Sequence, residues 1–118
     1  MLFRSCRAAL PRLADGASIV NIGAAAAAKA ELGMAAYAAS KSAVARLTEG
    51  LAAELKPRRI RVNAVLPSII DTPANRAAMP NADFSRWPKA DDIARVVLFL
   101  CSDDARVIHG AAIPVYGA

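Results

Sequence analysis

The sequence predicts an α/β protein, with a parallel sheet of about three strands flanked by helices. Segments with helical periodicity alternate along the chain with short runs rich in β-branched residues. The order is helix, strand, helix, strand, helix, strand, which is typical of strands that pair in parallel through helical connections. The chain has 118 residues, of which 56% are apolar. We therefore expect one small domain, or part of a larger one, with a buried core.

The first half of the chain predicts two helices around one strand. Residues 2–13 read as an amphipathic helix bent at Pro11. The run SIVNI at residues 18–22 predicts a strand buried on both faces, and the small residues at 23–33 predict an irregular segment. Residues 34–56 form the strongest predicted helix. The apolar stripe of the first helix is Leu2, Phe3, Cys6, Ala9, Leu10 and Leu13, and that of the second is Val44, Leu47, Leu51 and Leu55.

The second half predicts two further strands with a helix between them. The run RVNAVL at residues 61–66 is a buried strand ended by Pro67, and the last strand covers residues 112–116. Residues 90–102 predict a helix with acidic residues in its first turn. Residues 68–88 carry no clear element, and a loop of that length is often functional. The apolar face of the helix is Ile93, Val96, Val97 and Leu100.

Composition argues against several classes of function. The net charge is +5, but its tightest basic cluster, RRIR at residues 58–61, is interpreted as a solvated turn rather than a nucleic-acid or phosphate contact. Cys6, Cys101 and the single His109 lack disulfide or metal-ligand spacing, and we interpret His109 as a surface or turn residue. No apolar run reaches the roughly 18–20 residues that span a membrane. We expect no metal, nucleic-acid or membrane partner, and a reducing, cytoplasmic setting.

Tyr37 and Lys41 are the residues that most suggest chemistry. They lie four residues apart in the predicted helix 34–56, so both side chains point to the same face. A free phenol titrates near pH 10 and is a poor acid or base at neutral pH. An ammonium group nearby favours the phenolate, so the phenol can exchange a proton with a carbonyl or alcohol oxygen. Taken alone, the pattern is also common by chance, with the tyrosine at a core edge and the lysine in water.

The context of this pair resembles a known family. The order of SIVNIG, YAASKSAVARLTEGLAAEL, RIRVNAVLPSIIDTP and IHGAAIPVYG is similar to the C-terminal half of the short-chain dehydrogenase/reductase family, over nearly the whole chain. The resemblance implies a partial Rossmann-like sheet, with residues 1–118 as the C-terminal part of one domain. It also implies an oxidoreductase that uses NAD or NADP and a small carbonyl or alcohol substrate.

The resemblance also implies roles for individual residues. Tyr37 corresponds to the acid/base tyrosine and Lys41 to the lysine that assists it and binds the nicotinamide ribose. Pro67, Ile70 and Thr72 correspond to the segment that meets the nicotinamide carboxamide. Ala24 and Ala25, together with Tyr37, lie where the family contacts substrate. The segment after Thr72, with Met79, Phe84 and Trp87, resembles the one that closes over substrate.

Two departures from the family pattern leave alternatives open. Ala24 stands thirteen residues before Tyr37, where the family usually has a serine, and Gly23 offers no hydroxyl either. Dihydropteridine reductases in the family also lack this serine, so reduction of a quinonoid substrate is an alternative. The glycine-rich turn that binds pyrophosphate is missing, so the chain resembles a truncated enzyme, and a non-catalytic remnant or dimerising module is a further alternative. We expect self-association through helices 2–13 and 34–56, since bare apolar faces and strand edges invite pairing.

Overall fold

The computed structural model describes residues 2–117, which fold into one parallel sheet with helices on both faces. Within this range the strands are β1 (Ser18–Ile22), β2 (Arg61–Pro67) and β3 (Ala112–Val115), in the order β1-β2-β3. The α-helices are α1 (Leu2–Ala9), α2 (Ala35–Leu55), α3 (Pro73–Ala78) and α4 (Ala90–Cys101). Short 3-10 turns cover Leu10–Arg12, Ala25–Ala27, Lys56–Arg58, Phe84–Arg86 and Asp103–Ala105. The predicted α/β fold is thereby confirmed.

The core is divided into two apolar clusters, one on each face of the sheet. Val62 of β2 packs with α1 and α2, whereas Val65 of the same strand packs with α4. These two residues point to opposite faces because successive side chains of a strand alternate. The predicted apolar positions of α4 lie in these clusters, as do Leu47, Leu51 and Leu55 of α2, which confirms the helical periodicity; Val44 belongs to neither cluster. The buried members are Cys6, Leu51, Ala52, Leu55, Ile60 and Val62 on one face, and Val65, Ile93, Leu100 and Ala105 on the other.

Asn21 ties β1 to α2 and lies beside α1. Its side-chain amide donates a hydrogen bond to Thr48 Oγ1 at 2.9 Å, and that hydroxyl donates to Val44 O at 2.9 Å. The Cys6 Sγ lies 4.0 Å from Asn21 Oδ1, and burial raises the pKa of the Cys6 thiol. Asn21 and Thr48 are both buried, so each needs the other as a partner. This contact fixes how α2 lies along the strand, and α2 carries the tyrosine and lysine pair.

The basic cluster at residues 58–61 is structural. Arg61 donates hydrogen bonds to the carbonyl oxygens of Leu100, Ser102 and Ala105, near the end of α4. Arg58 donates in the same way to the carbonyl oxygens of residues 10 and 13, and pairs with Asp15. The predicted turn between helix and strand is present at Lys56–Arg58, but Arg58 and Arg61 bind main-chain carbonyls instead of only water.

The structure corrects four sequence predictions. α1 ends at Ala9, and a 3-10 turn containing Pro11 follows, because proline cannot continue the helical hydrogen bonds. Phe3 is 60% exposed and leaves the predicted stripe. β1 is only partly covered, with Ile22 49% exposed, whereas β2 is buried almost throughout. The loop at 68–88 contains α3 and a 3-10 turn.

His109 lies in the turn before β3, as the sequence predicted, but its ring makes two contacts. Its Nδ1 accepts a hydrogen bond from the Val62 N–H at 3.3 Å, and its Nε2 donates to Ala52 O at 2.8 Å. The ring therefore connects β2 to the last turns of α2. Among the helices of residues 2–117, none combines the length and apolar character needed to cross a bilayer.

Candidate active site

A cleft of about 680 Å³ opens at the carboxyl edge of the sheet. Its walls come from the segments that follow β1 and β2, the start of α2, and Tyr116 just after β3. Ligands of open α/β sheets bind at this edge, where the loops leaving parallel strands come together. We call this space the carboxyl-edge cleft. It is lined by Ala24, Ala25, Ala26, Ala28, Lys29, Glu31, Met34, Tyr37, Pro67, Ser68, Ile69, Ile70, Asn75, Met79 and Tyr116.

The wall next to β1 is built from alanine. The Gly23 N–H donates to Val65 O at 2.8 Å, and a Cβ at Gly23 would lie 2.5 Å from Leu66 Cδ2. Glycine therefore lets the chain stay close to β2 as it leaves the sheet. The chain is extended at Ala24 and then enters the 3-10 turn Ala25–Ala27. This wall offers the cleft methyl groups and backbone, but no side-chain hydroxyl.

Tyr37 brings the phenol to the opposite wall. It lies in the first turn of α2, lines the cleft and is 47% exposed. The Nζ of Lys41 lies 5.8 Å from the centre of the Tyr37 ring. The turn facing α2 is attached to this helix, because the Ser42 hydroxyl donates to Ala27 O at 3.0 Å. The Tyr37 phenol in the cleft thus has an ammonium group on the same helix face, at the distance expected for residues one turn apart.

The segment after β2 forms the third wall. Pro67 and Ile70 line the cleft, and the side chain of Asn75 holds this segment by donating to Ile70 O at 2.7 Å. Thr72 does not line the cleft; its Oγ1 accepts from the Asn75 N–H at 3.2 Å and caps α3. The structure therefore brings Ala24, Ala25, Tyr37, Pro67 and Ile70 together around one space. Lys41 and Thr72 are not among the residues that line it.

A chain of contacts holds the segment after β2, part of which lines the cleft. The Arg76 guanidinium binds both oxygens of Asp71, at 2.6 and 2.8 Å, and lies 4.9 Å from the centre of the Phe84 ring. The hydrogen bond from Arg76, and then the charges of Arg76 and Lys89, hold the pKa of the Asp71 carboxyl below its usual range. Phe84 packs in turn on Trp87, with ring centres 4.9 Å apart. We call residues 68–88 the covering segment.

Sequence reasoning missed several lining residues. Tyr116 and Asn75 carry the polar groups most relevant to a ligand, and Met34 supplies apolar surface. Met79 also lines the cleft, and it had been named in the segment after Thr72. A signal for Tyr116 was present, because it follows the end of β3 and parallel strands bring their carboxyl ends to the same edge. No comparable signal existed for Asn75, since its role depends on α3, which periodicity did not predict. Within residues 2–117 no group of three or more His, Cys, Asp or Glu side chains could hold a metal ion.

Comparison with known sequences identifies the family. The profile of the family described as Enoyl-(Acyl carrier protein) reductase matches residues 1–117. The 3-oxoacyl-(acyl-carrier-protein) reductase FabG of Pseudomonas aeruginosa is 39% identical over 107 residues, covering 84% of this chain and 43% of the relative. The 2-(R)-hydroxypropyl-CoM dehydrogenase of Xanthobacter autotrophicus is 37% identical over 129 residues, covering 99% of this chain and 52% of the relative.

Solved structures agree with this. A short-chain dehydrogenase/reductase described as a glucose/ribitol dehydrogenase from Brucella melitensis superposes with a TM-score of 0.90 at 36% identity, covering 99% of this chain and 51% of that one. A blue fluorescent protein from a metagenomic library, solved in complex with NADPH, has a TM-score of 0.86 at 36% identity, over 98% of this chain and 50% of that one. The chain belongs to the short-chain dehydrogenase/reductase family of oxidoreductases. It spans about half the length of the relatives that it matches.

Proposed function

We propose that this chain is the C-terminal, catalytic part of an NAD- or NADP-dependent oxidoreductase that acts on a small carbonyl or alcohol compound. The observation that carries the proposal is Tyr37, whose phenol lines the carboxyl-edge cleft with the Lys41 ammonium 5.8 Å from its ring centre. A second supporting observation is the family itself, whose members include dehydrogenases and reductases.

Tyr37 is the proton-transfer group in this proposal. Its hydroxyl donates a proton to a substrate carbonyl oxygen on reduction and takes one from an alcohol on oxidation. Lys41 stabilises the negative charge that develops on the phenol oxygen when the proton leaves. Lys41 does not line the cleft, so it assists Tyr37 without touching the reacting carbonyl.

The residues present fit a nicotinamide cofactor. Pro67 and Ile70 line the cleft beside Tyr37, and Asn75 fixes their segment through Ile70 O. Thr72 uses its oxygen to accept from Asn75 N, which leaves its hydroxyl hydrogen available to a carboxamide. We infer that Tyr37, Lys41, Pro67, Ile70 and Thr72 hold the nicotinamide end of the cofactor. When bound, the nicotinamide gives or accepts the hydride.

The alanine wall favours a second candidate substrate class. Neither Ala24 nor Ala25 can donate a side-chain hydrogen bond to a carbonyl oxygen, and losing such a donor costs roughly 100–1,000-fold in rate. A quinonoid ring, as in dihydropteridine reduction, spreads the developing charge and depends less on one donor. Activity on quinonoid compounds above that on simple ketones would support this candidate.

The surroundings of the reaction are also proposals. We expect the active protein to include the upstream half of the domain, to lie in the cytoplasm, and to form a homo-oligomer through α1 and α2. A folded remnant or dimerising module without activity is the alternative. Measurements of nucleotide binding and of turnover distinguish the enzyme from the inactive module.

Thermal unfolding with NADH or NADPH is the first test. In the longest natural version of the protein that contains this chain, we expect a cooperative transition whose midpoint rises with one nucleotide, because a ligand bound to the folded state at a hundred times its Kd adds about 2.7 kcal/mol of stability. A cooperative transition that neither nucleotide shifts would support the non-catalytic module.

Substitution of the proposed catalytic pair is the second test. In the longest natural version of the protein that contains this chain, Tyr37→Phe should abolish turnover and Lys41→Met should lower it strongly. Lys56→Met, at an exposed position beyond α2, is the matched control and should leave the rate unchanged. Full activity of Tyr37→Phe would refute the mechanism.

A further inference from the structure

A second groove of about 470 Å³ lies beside the carboxyl-edge cleft. Ser68, Ile69 and Tyr116 line both spaces, so one molecule could extend from the cleft into the groove. We call it the tryptophan groove, because it contains the only tryptophan of the chain. It is lined by Ser68, Ile69, Asp83, Arg86, Trp87, Tyr116 and Gly117.

The walls of the tryptophan groove are held in place without a ligand. The Ser68 hydroxyl donates to Tyr116 O at 2.7 Å, which joins the segment after β2 to the end of β3. Gly117 has a φ of +85°, and a Cβ there would lie 2.6 Å from Arg86 O. Glycine therefore allows the end of β3 to approach the turn that carries Arg86 and Trp87. Preformed walls reduce the ordering cost of binding.

The two charged residues of the groove differ in their hydrogen bonding. Asp83 accepts from Ser85 N at 3.1 Å and from Ser85 Oγ at 2.6 Å. The hydrogen bonds from Ser85, and then the charge of Arg86, hold the pKa of the Asp83 carboxyl below its usual range. Within the part of the chain that the structure describes, no hydrogen bond or ion pair holds the Arg86 guanidinium. Its N–H donors remain available, whereas the carboxylate already has partners.

We propose that the tryptophan groove binds the distal end of the substrate, as an aromatic ring against Trp87 that carries an acidic group paired with Arg86. A planar guanidinium binds the two oxygens of a carboxylate or similar oxyanion in parallel, and the indole offers a face for the ring. The role as a substrate subsite rests on the proposed function. The proposal that the groove binds an aromatic acid does not depend on that function.

Tryptophan fluorescence tests the groove directly, because Trp87 is the single tryptophan and lines it. The 118-residue chain is titrated with benzoate, benzyl alcohol and benzylammonium as probes. We expect saturable quenching by benzoate and binding at least about tenfold weaker for the two others, since only benzoate offers Arg86 an anion with two acceptor oxygens. Equal affinity for all three, or tighter binding of benzylammonium, would overturn the proposal.

Substitution of Arg86 separates the charge from the shape of the groove. Arg86→Gln should weaken the binding of benzoate by about tenfold and leave the binding of benzyl alcohol unchanged. Arg86→Lys should keep part of the preference for benzoate. Arg95→Gln, on the exposed surface of α4, is the control for loss of one positive charge. Circular dichroism checks that the Arg86→Gln variant is folded. If the folded variant binds benzoate as tightly as the unchanged protein, the proposal is overturned. Line broadening of benzoate in NMR measures the same binding without relying on tryptophan fluorescence.

Failure of the groove and failure of the proposed reaction give different results. Tyr37→Phe should abolish turnover but leave the benzoate Kd unchanged, because Tyr37 does not line the tryptophan groove. Loss of Arg86-dependent binding with turnover intact refutes the groove alone. Arg86-dependent binding in the longest natural version of the protein, if that version shows no nucleotide-dependent turnover, refutes the substrate assignment and the proposed function, and leaves an anion site.

Discussion

The two edges of the sheet are held together in different ways. At the amino edge, Arg61 and Arg58 donate to main-chain carbonyls around the ends of helices, and the Ser18 hydroxyl donates to Leu100 O. At the carboxyl edge, the covering segment is held by ring contacts at Phe84 and by the Asp71–Arg76 pair, in which the guanidinium is 51% and the carboxylate 12% exposed. The first edge is closed, while the second opens into the cleft and the tryptophan groove.

This difference separates stability from ligand binding. Bonds to partly buried carbonyls have few alternatives in water, so breaking them costs free energy of unfolding. Ion pairs and ring contacts made by a half-exposed guanidinium such as that of Arg76 compete with water and salt, so we expect them to contribute less to global stability. We infer that the carboxyl edge can change its side chains, and therefore its ligand, without unfolding the sheet. Substitutions at the two edges and in the sheet between them test this inference.

The largest effect is expected in the buried middle of the sheet, which both edges share. Asn63 of β2 is 0% exposed; its side chain donates to Ile108 O at 2.9 Å and accepts from Ala111 N at 3.0 Å. Asn63→Ala should lower the free energy of unfolding by about 2–4 kcal/mol, because two backbone groups lose their partner. Chemical denaturation measures this. The exposed Asn81→Ala is the control, with a change within about 0.5 kcal/mol.

Arg61 tests the amino edge. Arg61→Gln should lower the free energy of unfolding by about 1–3 kcal/mol, since one guanidinium serves three carbonyls near the end of α4. Arg59→Gln removes the same charge from a neighbouring exposed residue and should have almost no effect. Similar midpoints of urea unfolding for the two variants would mean that the hydrogen bonds of Arg61 do not hold the amino edge.

Gly117 tests the carboxyl edge. Gly117→Ala should cost about 1–2 kcal/mol for the left-handed backbone, and it should also shift Trp87 fluorescence by displacing the turn at Arg86. Gly33 has a φ of +78°, and no atom lies within 4 Å of the place that a Cβ would take, so Gly33→Ala isolates the backbone strain. An unchanged Trp87 emission in Gly117→Ala would show that β3 and the covering segment move independently.

The smallest effect is expected from pH at the covering segment. Because its folded-state pKa is lowered by Arg76, Asp71 contributes stability above the ordinary aspartate range, near pH 4, and loses it as the pH falls through its folded value. As the pH falls through that range, we expect hydrogen exchange of the α3 amides to become faster relative to exchange of the β2 amides, after correction for the intrinsic pH dependence of exchange. Asp71→Asn should abolish this difference. Faster exchange of β2 over the same range would contradict a local effect.

Periodicity predicted the elements whose faces are simple. The apolar positions Leu51, Leu55 and Leu100 recur at helical spacing, and each lies in a core cluster. Periodicity failed at α3, a helix of six residues with no apolar stripe, which is defined by its Thr72 cap and by Asn75. The sequence pattern also failed for Arg61. A charged residue at the start of a strand is predicted to be in water, and its carbonyl partners are visible only in the structure.

The sequence by itself determined the α/β order, the Tyr37 and Lys41 pair on one helix face, and the family to which these motifs belong. These depend on spacing along the chain, which is visible without a structure. Only the tertiary structure decided that Tyr116 lines the same cleft as Tyr37 and Ile70, and that Arg86 and Trp87 lie in an adjoining groove. The reason is physical: parallel strands bring residues that are far apart in sequence to one edge, and long-range packing fixes which side chains meet there.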